Sequence, residues 1–128
     1  DKGIKISLSK DIADIIMPQM RDLKVEVFKV AFLDSANQLI AIEDAATGTV
    51  NQAMPIVREI IHAALQKYAA GIICAHNHPS GTLVPSREDQ LFTQSLSQAC
   101  KLMNLKLLDH LIVGDRGYYS FADKGELL

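Results

Sequence analysis

The chain has 128 residues, the size of one ordinary domain, and 48% of them are apolar, which is enough for a sizeable core. Its formal net charge of −2 gives no electrostatic reason to expect direct binding of nucleic acid. No apolar run approaches the roughly 18 residues that cross a bilayer, and no signal peptide opens the chain, so we expect no membrane association. The two cysteines, Cys74 and Cys100, belong to no C-x-x-C pair and are expected to be buried thiols in a reducing cytoplasm.

The first 24 residues are expected to form a peripheral lead-in to the domain. The alternating apolar residues from Ile4 to Leu8 are typical of a short edge strand. Ser9 is placed to cap a short helix, which Pro18 would end or bend.

The first long strand is predicted from Val25 to Leu33, where side chains alternate between two faces. Glu26 begins one of these faces. The other members of that face are Phe28, Val30 and Phe32. Leu39 to Glu43 follows a polar turn and is predicted to be the hairpin partner, with a bend at Thr47 to Thr49.

A long helix is predicted from Ala53 to Ala70, with Pro55 in its first turn and Gly71 as its C-terminal stop. The helical spacing directs inward Met54, Val57, Ile60, Ile61, Ala64, Leu65 and Tyr68. His62 falls on the polar face and is expected to be solvated. The apolar run from Ile72 to His76 is typical of a strand that is buried on both faces.

A second long helix is predicted from Ser86 to Met103. Its inward residues are predicted to be Leu91, Phe92, Leu96, Ala99 and Met103. Lys106 to Val113 is predicted to be a strand, and Tyr118 to Phe121 a returning strand after a glycine-containing turn. Strands mixed with two long helices predict a single α/β domain in which helices cover a sheet.

Two histidines directly follow the buried strand. His76 and His78 are separated by one residue, so continued strand geometry would turn both imidazoles to one side. Imidazole suits zinc, and a catalytic zinc takes three protein ligands and an open position for water. Asp89 is the candidate for the third ligand, because the stretch from His76 follows the pattern H-x-H-x7-S-x2-D. The pattern predicts one zinc ion per chain.

Ser86 and Asp89 have two interpretations. A Ser-x-x-Asp sequence at the start of a helix is a capping box, which is a purely structural arrangement. Asp89, however, also extends the apolar stripe of Phe92 and Leu96, and an unpaired buried charge is very costly. A metal ion would supply its partner. His110, inside an apolar strand, is equally compatible with a hydrogen-bonded core residue and with a residue that supports the metal ligands.

The stretch resembles the JAMM (MPN-type) metalloprotease signature, in which an upstream Glu precedes H-x-H-x7-S-x2-D. Beyond this signature, the sequence is similar to the RadC family in four segments: His76 to Gly81, Pro85 to Asp89, Leu108 to Val113, and Pro55-x-x-Arg58-Glu59. The resemblance implies a curved mixed β-sheet flanked by helices, the JAB/MPN type, which is related to cytidine deaminases. Full-length relatives usually carry an N-terminal helix-hairpin-helix region, which we expect to be absent from residues 1–128.

The resemblance also implies roles for single residues. His76, His78 and Asp89 would bind zinc, with water in the fourth position. Ser86 would stabilise the oxyanion, and an upstream glutamate would accept the proton of the water. Glu26 is the candidate for that base and Glu43 its rival.

These roles imply hydrolysis of a peptide or isopeptide bond. The alternative is an accessory module of DNA repair with a structural or vestigial metal site. Two other enzyme classes are excluded. HNH nucleases spread their motif residues over a ββα unit, so the tripeptide from His76 to His78 matches only their name. A zinc deaminase would need the motifs H-x-E and P-C-x-x-C, and the chain has neither.

Overall fold

The computed structural model describes residues 3–45 and 55–127, and within them it contains three helices and five strands. In chain order these are α1 Ser9–Met20, β1 Phe28–Leu33, β2 Leu39–Asp44, α2 Val57–Gln66, β3 Gly71–Asn77, α3 Arg87–Leu102, β4 Lys106–Val113 and β5 Tyr118–Ser120. The bend that was predicted at residues 47–49 lies outside the described residues. None of the described helices has both the length and the apolarity needed to cross a bilayer.

The five strands form one mixed sheet in the order β2-β1-β3-β4-β5. β1 is antiparallel to both β2 and β3, β3 and β4 are parallel, and β5 returns antiparallel to β4. Helix α1 covers one face of the sheet, and α2 and α3 cover the other. The predicted α/β domain with a helix-flanked mixed sheet of the JAB/MPN type is confirmed.

Helix α1 belongs to the core and is not a peripheral lead-in. Its residues Ile12, Ala13, Ile16 and Met20 are fully buried against the sheet. Ser9 is not its cap. The capping residue is Leu8, whose N–H donates to Oδ2 of Asp11 at 2.9 Å. Pro18 does not end the helix either. It lies in the last turn, where a missing N–H removes a single intrahelical bond.

The N-terminal segment contributes one isolated bridge instead of the predicted edge strand. Lys5 pairs with Gln38, and no named strand includes the described residues from 3 to 8.

Strand β1 begins at Phe28, three residues later than predicted. The amide of Val27 donates to the side-chain oxygen of Asn77 at 2.7 Å, and Asn77 donates back to the carbonyl of Val25 at 2.9 Å. A side chain therefore replaces the strand ladder here, and Glu26 precedes the strand. The predicted faces of the strand are confirmed, because Phe28 packs toward α2 and α3 and Ala31 toward α1.

Helix α2 is shorter than predicted at both ends. Residues 46–54 are not described, and Pro55 precedes the capping residue Ile56. Tyr68 has a positive φ of 53°, which turns the chain out of the helix. Its side chain is 92% exposed, so the prediction that it points inward was wrong, as it was for the exposed Leu65.

Gly71 begins β3 and does not stop the helix. A Cβ atom at this position would lie 2.7 Å from Cδ1 of Leu108, so a larger residue here would require that flexible side chain to shift. Strand β3 is buried along its whole length, as predicted.

Helix α3 is close to its prediction, and the bounds of β4 match theirs. The buried stripe of α3 contains Phe92 and Leu96 as predicted, but Leu91 and Met103 are exposed. Two polar residues, Thr93 and Ser97, are buried instead. The buried face of α3 therefore includes polar positions, which a prediction from apolar residues alone does not find.

Candidate metal centre

The two histidines lie at the end of the central strand. His76 of β3 pairs with Phe28 of β1 on one side and with Ile112 of β4 on the other, and it is 0% exposed. His78 lies just beyond the strand, where its N–H donates to the carbonyl of Val113 at 3.0 Å. The sheet therefore fixes the backbone of both residues.

Asp89 is positioned by the start of helix α3. The hydroxyl oxygen of Ser86 accepts the N–H of Asp89 at 3.0 Å, and Oδ2 of Asp89 accepts the N–H of Ser86 at 2.8 Å. The predicted capping box is therefore present. It also holds the buried Asp89 carboxylate against the two histidines, so the structural and the ligand interpretations of this residue coexist.

The three side chains converge on one point. Nε2 of His76 lies 3.2 Å from Nε2 of His78 and 2.9 Å from Oδ1 of Asp89. Nε2 of His78 lies 3.1 Å from Oδ2 of Asp89. Donor atoms on a tetrahedral zinc with bonds of about 2.0–2.1 Å lie about 3.3–3.4 Å apart. A set of two imidazoles and one carboxylate at this spacing fits a divalent metal ion.

The outer nitrogen of His78 is also engaged. Its Nδ1 lies 3.0 Å from the carbonyl oxygen of Thr82. A carbonyl oxygen only accepts, so Nδ1 carries a hydrogen and Nε2 is the nitrogen that is left to bind a metal.

The outer nitrogen of His76 faces a third histidine. Nδ1 of His76 lies 2.9 Å from Nε2 of His110, and Nδ1 of His110 lies 2.6 Å from Oγ1 of Thr93. Sequence reasoning left the role of His110 open and missed Thr93. The available signal for Thr93 was its position one helical turn after Asp89, on the same face of α3.

Aromatic rings form the apolar wall of the site. Phe28 stacks on His76 with ring centroids 5.6 Å apart and an interplanar angle of 6°. Phe121 stacks on His110 at 4.9 Å and 10°, and Phe92 meets Phe28 edge to face. These contacts exclude water from one side of the site and restrict rotation of both imidazoles.

The electrostatics favour a cation. Burial on its own would raise the pKa of the Asp89 carboxyl, but the hydrogen bond and charge of His76 and the contacts with Ser86 bring that pKa well below its usual range. Burial, followed by the charge of His76, holds the pKa of His110 well below its usual value. The site thus combines an ionised carboxylate with a neutral supporting imidazole.

The two candidate glutamates lie in different settings. Glu43 is on β2, which is separated from β3 by β1, and it forms an ion pair of 2.8 Å with Lys67. Glu26 is half-buried and lies two residues before Phe28, the residue that pairs with His76. His62 is exposed on α2, as predicted.

Comparison with known proteins gives the family of this chain. The family model described as the RadC-like JAB domain matches residues 6–126. The chain belongs to the RadC-like JAB domain family. This RadC-like domain is 42% identical to the UPF0758 protein YkfG of Escherichia coli, over 99% of the chain and 80% of YkfG. It is 47% identical to UPF0758 protein PSHAa2643 of Pseudoalteromonas translucida, over 89% of the chain and 51% of that protein.

The relatives differ in length. The RadC-like domain spans about half of the Pseudoalteromonas protein, and 53% of a UPF0758 protein of Methanosarcina mazei to which it is 40% identical. It covers 86% of the UPF0758 protein YeeS of Escherichia coli, at 40% identity. The names of these relatives state no activity.

Proposed function

We propose that this RadC-like domain is a zinc-dependent hydrolase of peptide or isopeptide bonds, a metallopeptidase of the JAMM type. The observation that supports the proposal most is the convergence of three donor atoms, from His76, His78 and Asp89, at separations of 2.9–3.2 Å. Two neutral imidazoles and one carboxylate are a frequent set of protein ligands in catalytic zinc sites, which leave a position open to water.

The chemistry divides between the ion and the protein. Bound zinc would supply a Lewis acid and lower the pKa of a water toward about 7. In the proposal, Glu26 accepts the proton of the attacking water and returns it to the leaving amine. Its position two residues before Phe28, the residue that pairs with His76, supports this choice, and the ion pair of Glu43 with Lys67 argues against the rival.

Ser86 is proposed to donate to the oxyanion of the tetrahedral intermediate. A hydroxyl group has one hydrogen to donate and two lone pairs to accept with. The capping bond from the amide of Asp89 uses a lone pair, so the hydroxyl hydrogen remains available to a substrate. Capping and catalysis are therefore compatible in this residue.

The proposed substrate is a peptide or a protein, and the proposed location is the cytoplasm. Both cysteines are free and buried, which suits a reducing compartment. The formal charge of −2 supports a protein substrate over a nucleic acid.

The test is elemental analysis of the purified protein together with a screen of peptidase and isopeptidase substrates. We expect about one zinc per chain, and a sharp loss of zinc in His76→Ala and in His78→Ala, because each removes one ligand. His62→Ala is the matched control, since this exposed histidine of α2 lies outside the site. Full zinc occupancy in the His76→Ala, His78→Ala double variant would refute the assignment.

A further inference from the structure

His110 is a buried polar residue that is not a member of the proposed ligand set. It is 1% exposed, and its ring lies between Phe121 and the ring of His76. Burying a polar ring is costly unless its hydrogen-bonding groups are satisfied. Both ring nitrogens do have partners, and the identities of those partners determine where the hydrogens lie.

The direction of the chain of hydrogen bonds begins at helix α3. The hydroxyl of Thr93 donates to the carbonyl oxygen of Asp89 at 2.7 Å, because a carbonyl can only accept. The hydroxyl oxygen then has only lone pairs to offer to Nδ1 of His110, 2.6 Å away. Nδ1 of His110 must therefore carry a hydrogen.

The other ring nitrogen of His110, Nε2, then accepts a hydrogen bond. A charged imidazolium is strongly disfavoured in this buried setting, so the ring has a single hydrogen and Nε2 has a lone pair. This lone pair faces Nδ1 of His76 at 2.9 Å, which must carry the hydrogen of that bond. With its hydrogen fixed on Nδ1, His76 presents Nε2 to His78 and Asp89 as the nitrogen that would bind a metal.

The hydrogen bonds form one chain that connects two of the proposed ligands. The chain runs from the Asp89 carbonyl through Thr93 and His110 to Nδ1 of His76, whose other nitrogen, Nε2, lies 2.9 Å from the Asp89 carboxylate at the proposed metal position. It links α3, β4 and β3, so two of the three proposed ligands are oriented by one network. Stacking of Phe121 on His110 holds the ring of this intermediary in place.

We propose that His110 and Thr93 are positioning residues that hold His76 in the tautomer with hydrogen on Nδ1 and thereby set the metal affinity of the site. The proposal rests on the metal centre of the proposed function, although it needs no hydrolytic activity. Loss of an outer partner of a metal-binding histidine typically weakens metal affinity by about 10–100-fold.

The test measures the zinc affinity of four variants by competition with a chromophoric chelator. His110→Phe keeps an aromatic ring of similar volume but removes the acceptor, and we expect a weakening of about 10–100-fold. His110→Gln offers an amide oxygen to His76 and an amide N–H to Thr93, so it is expected to restore most of the affinity.

The second pair of variants examines the hydroxyl. Thr93→Val keeps the shape of the side chain and leaves Nδ1–H of His110 without its acceptor. His110 is then expected to move its hydrogen to Nε2. Nδ1 of His76 must then accept, and His76 carries its own hydrogen on Nε2, the nitrogen that faces the metal site. Thr93→Ser keeps the hydroxyl and is the matched control. Affinity of Thr93→Val equal to that of Thr93→Ser would overturn the proposal, even where His110→Phe fails to fold.

A readout without metal separates this inference from the proposed function. ¹⁵N NMR of the histidine rings in the metal-free protein is expected to show hydrogen on Nδ1 of His76 in the wild type, and loss of that hydrogen in Thr93→Val. Absence of zinc binding together with this difference between wild type and Thr93→Val would refute the metallopeptidase proposal and a role in metal affinity, but would support the positioning of His76 by Thr93 and His110. An unchanged His76 tautomer in Thr93→Val would refute the positioning role.

Discussion

Asp89 shows how much one side chain can determine at the residue scale. Its carboxylate accepts the N–H of Ser86, and each of its oxygens also faces one histidine. The sequence predicted both roles of Asp89, because the capping box and the metal-binding pattern both contain Ser86 and Asp89. The sequence could not show the bond between His76 and His110, since the partners are 34 residues apart and meet only through the parallel pairing of β3 with β4.

The hydroxyl of Ser86 gives a prediction that separates its two roles. We expect Ser86→Ala to keep zinc, to slow hydrolysis by about 10²–10³-fold, and to lower the free energy of unfolding by about 0.5–2 kcal/mol through the lost cap. Denaturant unfolding and steady-state kinetics measure the two effects. Ser95→Ala, an exposed position inside the same helix, is the control and should change neither. Lower stability with unchanged activity would leave capping as the only role of Ser86.

The candidate bases give a second prediction at the same scale. We expect Glu26→Gln to keep both zinc and fold but to abolish hydrolysis, because the amide cannot take a proton from water. Glu43→Gln should be nearly silent, since its ion pair with Lys67 is partly exposed and such pairs contribute little. Activity and zinc content of both variants are measured with one cleavable substrate. An active Glu26→Gln together with an inactive Glu43→Gln would transfer the role to Glu43.

At the scale of elements, local patterns predicted the interior of each helix and strand better than its ends. β4 matched because its apolar run is bounded by polar and glycine residues. The start of β1 was missed because the side chain of Asn77, 50 positions away, takes the amide of Val27. The end of α2 was missed because Tyr68, which is not a glycine, adopts the left-handed conformation.

The loop that carries His78 packs against the turn between β4 and β5, and this packing gives a prediction. A Cβ atom at Gly114 would lie 2.8 Å from Cδ2 of Leu83 and 2.9 Å from the carbonyl oxygen of Gly81. We expect Gly114→Ala to displace this loop, to lower the free energy of unfolding by about 1–3 kcal/mol, and to weaken zinc binding.

Gly117→Ala is the matched control for this turn. A Cβ atom there would lie 3.7 Å from Leu83, which is an ordinary van der Waals distance. Thermal unfolding and zinc titration of both variants are the measurements. Equal zinc affinity in the two variants would show that the loop adjusts without moving His78.

At the scale of the whole molecule, the formal charge of −2 bears on the alternative function in DNA repair. We expect residues 1–128 to bind duplex DNA no better than a neutral control protein at physiological salt, because affinity for DNA comes largely from neutralised phosphates. Fluorescence anisotropy with a labelled duplex measures this. Submicromolar binding that weakens steeply with added salt would contradict the prediction and favour a repair module.

The burial of the three proposed ligands is uneven. The side chains of His76 and Asp89 are 0% and 2% exposed, whereas that of His78 is 12% exposed. An ion would therefore reach and leave the centre past His78, the ligand on the loop rather than on the sheet. The lifetime of a bound ion would then follow the rate at which this loop opens, and a chelator at saturating concentration would extract the ion no faster than that rate. Equilibrium occupancy would depend on all three ligands, while the rate of exchange would depend on this one surface loop.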